Sequence, residues 1–355
     1  VSHPPERRRS AMGVYLAGFA IAQVSGPLVG GLVTSVLGWR WLFVVGLVIA
    51  AGDLVLGRRA LSRLPTRPFT GLRVDVAGNA LIVLMTTVLL VALARVPQAG
   101  WRSFKTLLPL AGVMLAVPVF VAVERRARWP AVALDLLADR QFVLANVAAF
   151  CLCVGRVVPA VLFSLWFQGV DGDDPLTAAL QITPLAAAVT LGTLAVGRLA
   201  RARHDVVTSR HAAGLALVGS GVLVVALYAG APPAAVIAGL VVLGLGCGAF
   251  QTVNGAMIIA MGGLARAGTL NGIRATAQQS AVSVGTALLL SLGAGNLAPE
   301  AAADYYAGRS EQLGSAALDA LLTGHRVAVC VLLGVTAVGL LAALGLRHSK
   351  PFHGM

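Results

Sequence analysis

Runs of about 20 apolar residues recur along the whole chain, separated by short segments that carry charge, Pro or Gly. A helix of that length crosses the hydrocarbon core of a bilayer. The runs are rich in Ala, Leu and Gly, and they lack the alternation of apolar and polar positions that membrane strands show. The pattern therefore predicts ten membrane-spanning helices, at residues 10–34, 41–57, 75–94, 105–123, 141–168, 177–197, 211–229, 234–261, 270–293 and 325–346.

The composition narrows the class of protein further. The 355 residues are 58% hydrophobic and only 12% charged, and the mean hydropathy is +0.86. A soluble domain of this size needs more polar surface than these figures allow. The predicted fold class is therefore all-α, a polytopic membrane protein of about ten transmembrane helices.

The placement of charge predicts the orientation of the helices. Of the 27 basic residues, 20 fall on the side of the N-terminus and 6 on the other side, in loops or near span ends, and Arg156 lies near the middle of a span. Because basic loops stay in the cytoplasm, both termini are predicted to be cytoplasmic. The 25 Arg residues against 2 Lys are typical of a GC-rich bacterial genome, so we expect a multi-pass protein of the bacterial inner (plasma) membrane. The net charge of +13 then reflects topology and attraction to anionic lipid, and no nucleic-acid partner is expected.

The sequence lacks the motifs of several common metal-binding and catalytic sites. The four Cys residues all fall inside apolar spans without a CxxC pair, and the six His residues are scattered, so no metal site is expected. There is no Walker A string, which disfavours an ATP-driven pump. No nucleophile elbow or kinase string occurs either. The sequence therefore predicts neither an enzyme nor a bound cofactor.

Small residues recur at a fixed spacing in the first predicted span, GVYLAGFAIAQVSGPLVGG at 13–31. Gly26 and Gly30 form a GxxxG face, which lets another helix backbone come close. Pro27 removes a backbone hydrogen bond and bends the helix. A bent helix with a face of small residues suits the seam between parts of a bundle that move. The positions of the pattern are Gly13, Ala22, Gly26, Pro27, Gly30 and Gly31.

This spacing resembles the antiporter motif on the fifth helix of drug:proton antiporters in the major facilitator superfamily. That motif reads G, eight residues, G, three residues, GP, two residues, GG. Five of its six positions match, and Ala22 replaces the second Gly. The segments at 38–43 and 133–142 resemble the turn after that helix and the lead-in to the second bundle of the family. A tightly packed span without a transport role is the alternative interpretation.

The resemblance implies the organisation of the whole chain. Two extra spans between bundles are the arrangement of the fourteen-helix branch, and four helices of the first bundle are then missing before residue 1. The family's acidic coupling residue lies on those early helices, so the resemblance assigns no coupling residue here. The implied domains are 1–57, the last two helices of the N-terminal bundle; 58–140, a linker with two extra transmembrane helices; 141–347, the C-terminal six-helix bundle; and 348–355, a cytoplasmic tail.

Polar residues are unevenly distributed among the spans, and such residues usually face a cavity or a partner helix. Arg156 is the sharpest case, because a mid-membrane guanidinium needs an anion, a water-filled cavity or a paired acid. A structural charge, paired to a backbone carbonyl or to an acid on a missing helix, is equally possible. Gln251 and Asn254 share a helix face and either contact a substrate or join helices. The predicted substrate and proton pathway is Gln23, Asn146, Arg156, Gln251, Asn254, Gln278 and Gln279.

The carboxylates at Asp53 and in the segment 171–175 are not expected to have a functional role. Asp53 lies near the inner end of its span, close to Arg58, and is expected either to snorkel or to be locally paired; a titrating proton site is the minority interpretation. The segment DGDDP at 171–175 lacks the spacing and Gly of a calcium loop, so it is expected to be a solvated turn.

The resemblance implies a secondary transporter that exports small amphipathic compounds in exchange for protons. The proton gradient would supply the energy, and the partners would be a small-molecule substrate, protons, the lipid bilayer and the missing N-terminal helices. In that mechanism two bundles rock about a site at the middle of the membrane. The alternative function is a truncated, non-transporting remnant or a half-transporter that needs a partner segment.

Overall fold

The computed structural model describes residues 22, 25–62, 75–100, 102–127, 136, 138–199, 205–295, 297–306 and 314–347. Every regular element in these ranges is a helix. The helices are α1 (Ser25–Leu37), α2 (Trp41–Leu61), α3 (Val76–Ala94), α4 (Val96–Ala99), α5 (Phe104–Arg126), α6 (Arg140–Gly169), α7 (Pro175–Leu199), α8 (Asp205–Tyr228), α9 (Pro233–Gly293), α10 (Pro299–Tyr306) and α11 (Ser315–Leu344).

The predicted class is confirmed, because eight stretches in these helices are long and apolar enough to cross a membrane. They correspond to eight of the ten predicted spans. The described part of the first predicted span, α1, is a shorter apolar helix. The other predicted span outside the eight, at 270–293, is the second part of α9.

The predicted spans at 234–261 and 270–293 both lie within α9, which comprises 61 residues. A straight helix would place Gln251 and Gln278 about 40 Å apart. Instead the Gln278 side-chain amide donates to Gln251 Oε1 over 3.2 Å. The chain therefore reverses direction within α9. We call its two antiparallel arms α9a (Pro233–Met261) and α9b (270–293).

Whereas α10 belongs to a smaller separate cluster, helices α6 to α9 and α11 pack around the main hydrophobic core. Buried Phe and Leu side chains from α6, α8, α9a and α11 fill it, among them Phe163, Leu223 and Leu332. Close approach depends on glycine at several crossings, since a Cβ at Gly244 would come within 2.8 Å of the Leu185 carbonyl oxygen. Small residues thus let α9a pack between α7 and α8.

Hydrogen bonds tie the ends of this bundle on the predicted cytoplasmic side. The Gln141 side chain donates to the Gly345 carbonyl and accepts from the Arg347 amide, which joins α6 to α11. The Arg210 guanidinium donates to the Leu344 and Leu346 carbonyls at the end of α11. A cation at a helix C-terminus also interacts favourably with the helix dipole.

The opposite end of the bundle is closed by the short helix α10. Tyr305 and His325 are both buried, and the Tyr305 hydroxyl lies 3.1 Å from His325 Nε2. His325 Nδ1 lies 3.0 Å from the Leu321 carbonyl oxygen, and the ring of Trp166 contacts the imidazole edge-to-face. Tyr305 therefore anchors α10 to α6 and α11.

Helices α3 and α5 form a hairpin beside the bundle. Asp75 caps α3 by accepting from the Gly78 amide over 2.8 Å. The Ser291 hydroxyl of α9b donates to the Leu93 carbonyl over 2.9 Å, which links the hairpin to the bundle. The domain boundaries at 57, 140 and 347 stay predictions.

Helix α2 has no buried residue in its apolar stretch. Asp53 is exposed on this helix. Among the described residues no hydrogen bond or ion pair joins Asp53 to Arg58, so the expected local pairing is not seen there.

Candidate functional site

Two arginines lie close together where α6, α9a and α9b meet. Arg156 stands 16 residues after α6 begins at Arg140, which is about 24 Å along the helix. Its guanidinium contacts Cys153 Sγ over 3.9 Å. Arg274 comes from α9b and donates to the Gln251 carbonyl of α9a over 3.3 Å. The two arginines belong to one chain of contacts, because Cys153 contacts both Arg156 and Gln278, and Gln251 contacts both Gln278 and Arg274.

Amides and a thiol complete this group of polar side chains. Gln278 donates from its side chain to Gln251 Oε1, and the Cys153 thiol donates to the Gln278 carbonyl over 3.6 Å. We call these five residues, Arg156, Arg274, Cys153, Gln251 and Gln278, the arginine cluster.

A glycine makes room for one of the guanidinium ions. A Cβ on Gly255 would lie 3.2 Å from both Cζ and Nη2 of Arg274. Since that is closer than carbon and nitrogen normally approach, any larger residue would shift the Arg274 side chain. Gly255 thus helps to position the charge.

The charges of the arginine cluster have no acidic partner in the part of the chain that the structure describes. The Nε atoms of Arg156 and Arg274 are buried and have no hydrogen-bond partner there. In the sequence, two acidic residues fall within the ten predicted spans: Asp75, at the first position of its span, caps α3, and Asp53 lies exposed on α2. Buried cations normally pair with an anion or face water. The cluster is therefore suited to attract an anion.

The seam of small residues on α1 lies against α7. A Cβ added to Gly31 would lie 2.5 Å from Ala179 Cβ and 2.9 Å from the Pro175 carbonyl oxygen, whereas Gly26 and Gly30 have open space. A cavity of about 390 Å³ is lined by residues of α1, α6 and α7. Its lining includes Pro27, Gly30, Gly31, Thr34, Ser164, Gln168 and Ala179.

The family follows from a comparison with known families. The model described as Major Facilitator Superfamily matches residues 2–286. The chain belongs to the Major Facilitator Superfamily.

Individual relatives are named for resistance and transport. The chain is 30% identical over 200 residues to the methylenomycin A resistance protein of Bacillus subtilis, covering 56% of this chain and 42% of that protein. It is 29% identical over 288 residues to the multidrug resistance protein Stp of Mycobacterium tuberculosis, covering 80% and 52%. It is 28% identical over 324 residues to the probable actinorhodin transporter of Streptomyces coelicolor, covering 86% and 54%. The chain spans about half the length of these curated relatives.

In this superfamily member, the structure shows no hydrogen bond from Asn146, Asn254 or Gln279 to the arginine cluster among the described residues. Asn254 is 1% exposed and donates to the Ala145 carbonyl over 3.0 Å, a bond that joins α9a to α6; a contact with substrate stays a prediction. Asn146 donates to Phe142 within its own helix. Gln279 is exposed. Gln23 lies outside the described residues.

The antiporter-motif positions are only partly visible in the superfamily member. Gly13 lies outside the described residues, and Ala22 is an exposed helical residue. Gly26 is exposed as well, and Pro27 and Gly30 are half-buried. Gly31 alone among the described motif positions is buried. Its contact with α7 is therefore the closest approach of the described motif residues to the bundle.

Sequence reasoning left Arg274, Cys153 and Gly255 out of the pathway. One signal was available for Arg274, because it precedes Gln278 by four residues and so shares its helix face. Cys153 and Gly255 carried no such signal, because apolar spans contain many small residues.

The turn before α7 carries three carboxylates on the predicted outer side. Burial, and secondarily the neighbouring Asp173 carboxylate, raise the pKa of Asp171. The hydrogen bond from the Thr177 hydroxyl, with those from the amides of Thr177 and Leu176, lowers the pKa of Asp174. Asp174 thus caps α7. Among the described residues, no group of three His, Cys, Asp or Glu side chains is placed to hold a metal ion.

Proposed function

We propose that the protein is a secondary transporter of the fourteen-helix drug:proton antiporter branch, which exports small amphipathic compounds from bacteria in exchange for protons. The observation that carries this proposal is the arginine cluster, a group of buried and half-buried polar side chains shared by three predominantly apolar membrane helices. Membership of the superfamily and the names of the relatives support it. The proposed orientation has the C-terminus in the cytoplasm.

In the proposed mechanism the substrate binds at the arginine cluster, between the bundle of α6 to α11 and the helices that include α1. Alternating access would then come from rocking of the two parts about this site. The contact of Gly31 with Ala179 and Pro175 supports a sliding seam, because small residues let two backbones pass without interlocking side chains. The small residues at the α1–α7 contact would also limit the leak of protons.

Flux measurements in membrane vesicles test the proposal. The protein, expressed from its native gene, is reconstituted in vesicles that are loaded with amphipathic probes of different charge, ethidium and pyrenebutanoate among them. We expect at least one probe to leave faster when a pH gradient is imposed and to stop doing so when an ionophore removes the gradient. No gradient-dependent flux of any probe by folded protein would contradict the proposal and favour a partner-dependent or non-transporting chain.

A pair of variants separates the site from general damage. Arg156→Ala removes one charge of the cluster, and we expect it to abolish gradient-driven flux. Arg326→Ala removes a charge at the predicted outer end, where the guanidinium stacks over Tyr228, and should leave most of the flux. Full transport by Arg156→Ala would remove the arginine cluster from the mechanism.

A further inference from the structure

We infer that the arginine cluster selects anionic amphipathic compounds, with the carboxylate or other acidic group held between Arg156 and Arg274. This inference rests on the proposed function, because it names the class of substrate for the proposed transport site. The geometry places both guanidinium ions on one junction of α6 and α9.

The first step concerns charge. Arg156 lies near the middle of α6 and Arg274 near the start of α9b, and the described residues offer neither guanidinium a carboxylate. Two like charges held in one cluster repel each other. The acidic residue Asp53 is exposed on α2, a helix without a buried residue in its apolar stretch. An anionic ligand would relieve the repulsion, whereas a cationic ligand would increase it.

The second step concerns the free hydrogen-bond donors. Arg156 donates through Nη2 to Cys153 Sγ, which is a weak acceptor. Arg274 donates through Nη2 to the Gln251 carbonyl. The Nε atoms of both residues have no partner among the described residues. Guanidinium ions bind carboxylates through two parallel hydrogen bonds, typically from Nε and one Nη. Both arginines therefore retain the donor that such a pair uses.

The third step concerns the apolar part of the ligand. A cavity of about 280 Å³ lies between α6 and α9b and is lined almost wholly by apolar atoms. Its wall contains Val143, Asn146, Val147 and Phe150 from α6, and Ala277 from α9b. Ala277 follows Arg274 by three residues, so the two share a face of the helix. An acidic group at Arg274 would thus have an apolar space beside it.

Equilibrium binding tests this selection without any gradient. The probes are pyrenebutanoate, its methyl ester, and the trimethylammonium compound with the same pyrene group. Binding is measured in detergent as energy transfer from tryptophan to pyrene; Trp166 lies on α6, ten residues from Arg156 and about 15 Å along the helix. We expect the carboxylate to bind about tenfold more tightly than the ester, and the cation to bind most weakly.

Charge-removing variants locate the selectivity. Arg156→Gln and Arg274→Gln should each weaken carboxylate binding about tenfold and change ester binding less than about twofold. Arg274→Lys keeps the charge and should restore most of the carboxylate preference. Arg326→Gln removes a charge at the other end of the bundle and should leave the preference unchanged. An unchanged ester affinity also serves as the check that each variant is folded.

Three results would overturn the inference. They are equal binding of carboxylate and ester by the wild-type protein, equal loss of both probes in the Gln variants, and an unchanged carboxylate preference in both Gln variants. If the Gln variants fail to fold, the wild-type ratio and Arg274→Lys still decide. Gradient-driven flux of ethidium without a carboxylate preference would contradict this inference but agree with the proposed transport function. A carboxylate preference without flux of any probe would support the selectivity but contradict the proposed transport.

Discussion

Helices α2 and α8 have the same mean hydropathy, 1.8, yet their surroundings differ completely. In α8, 44% of the most apolar stretch is buried inside the protein, whereas none of it is buried in α2. Hydropathy measures the preference of a side chain for leaving water, and lipid tails satisfy that preference as well as protein does. It therefore predicts that a segment crosses the membrane but not which neighbours it has.

The glycines of α8 and α2 also differ in their surroundings. A Cβ on Gly219 of α8 would lie 2.6 Å from Leu243 Cα of α9a, so glycine is what allows this crossing. In α2 the added Cβ at Gly46, Gly52 or Gly57 would meet nothing within 4 Å. The comparison teaches that small residues in a membrane helix mark a contact only where another backbone is present.

The largest expected effect comes from filling that crossing. Gly219→Ala should destabilise the protein by about 1–3 kcal/mol, because the new methyl group overlaps the backbone of α9a. Gly52→Ala on α2 should be neutral or stabilising, since alanine is the better helix former and has room. Thermal unfolding of the two purified variants measures the difference. Equal unfolding temperatures would break the contrast between α8 and α2.

A pair of tyrosines sharpens the same contrast at the predicted outer end. Tyr305→Phe leaves the buried His325 ring without its hydroxyl partner and should cost about 1–3 kcal/mol. Tyr228 is 56% exposed and has a weak thiol contact with Cys330. Tyr228→Phe should therefore change stability by less than about 0.5 kcal/mol. A Tyr305→Phe protein as stable as Tyr228→Phe would show that α10 is not anchored by this bond.

Two asparagines give a smaller effect. Asn254→Ala removes the bond between α9a and the Ala145 carbonyl of α6, and should cost about 0.6–1.7 kcal/mol. Asn146→Ala removes a bond within α6 only and should cost less. Chemical unfolding in mixed micelles compares the two. If Asn146→Ala proves the more damaging, the assignment of Asn254 as the interhelical residue fails.

The smallest expected effect is a dependence on pH at the start of α7. The hydrogen bond from Thr177 lowers the pKa of Asp174 below its ordinary value of 3.8, so the carboxylate stabilises the folded state above that pH. This contribution is lost as the pH falls through the lowered pKa. Asp174→Asn should therefore unfold slightly earlier than wild type near neutral pH and match it in strong acid. A gap between the two proteins that stays constant down to strong acid would contradict the role of the charge.

The all-helical class and the positions of eight spans could be predicted because hydropathy is a local property of each segment. Arg156 stood out for the same reason, since a charge in an apolar run is visible without its neighbours. The proximity of Arg156 and Arg274 was not predictable, because the two residues lie 118 positions apart in the chain and come together only through the reversal of α9.

The role of Asn254 could not be decided from sequence either. A polar residue on a membrane helix has the same cost whether it meets a substrate or a carbonyl group. The choice depends on Ala145, whose small side chain leaves its carbonyl open to α9a. The arginine cluster differs from the other polar positions in its tertiary contacts, which the sequence does not show.

The most direct test of the central claim is proton movement driven by substrate alone. Vesicles containing the protein and an internal pH indicator are given a gradient of a transported probe and no gradient of pH. Exchange predicts that protons move opposite to the probe, that the internal pH shifts accordingly, and that Arg156→Ala abolishes the shift. Probe flux without any shift of internal pH would contradict exchange for protons.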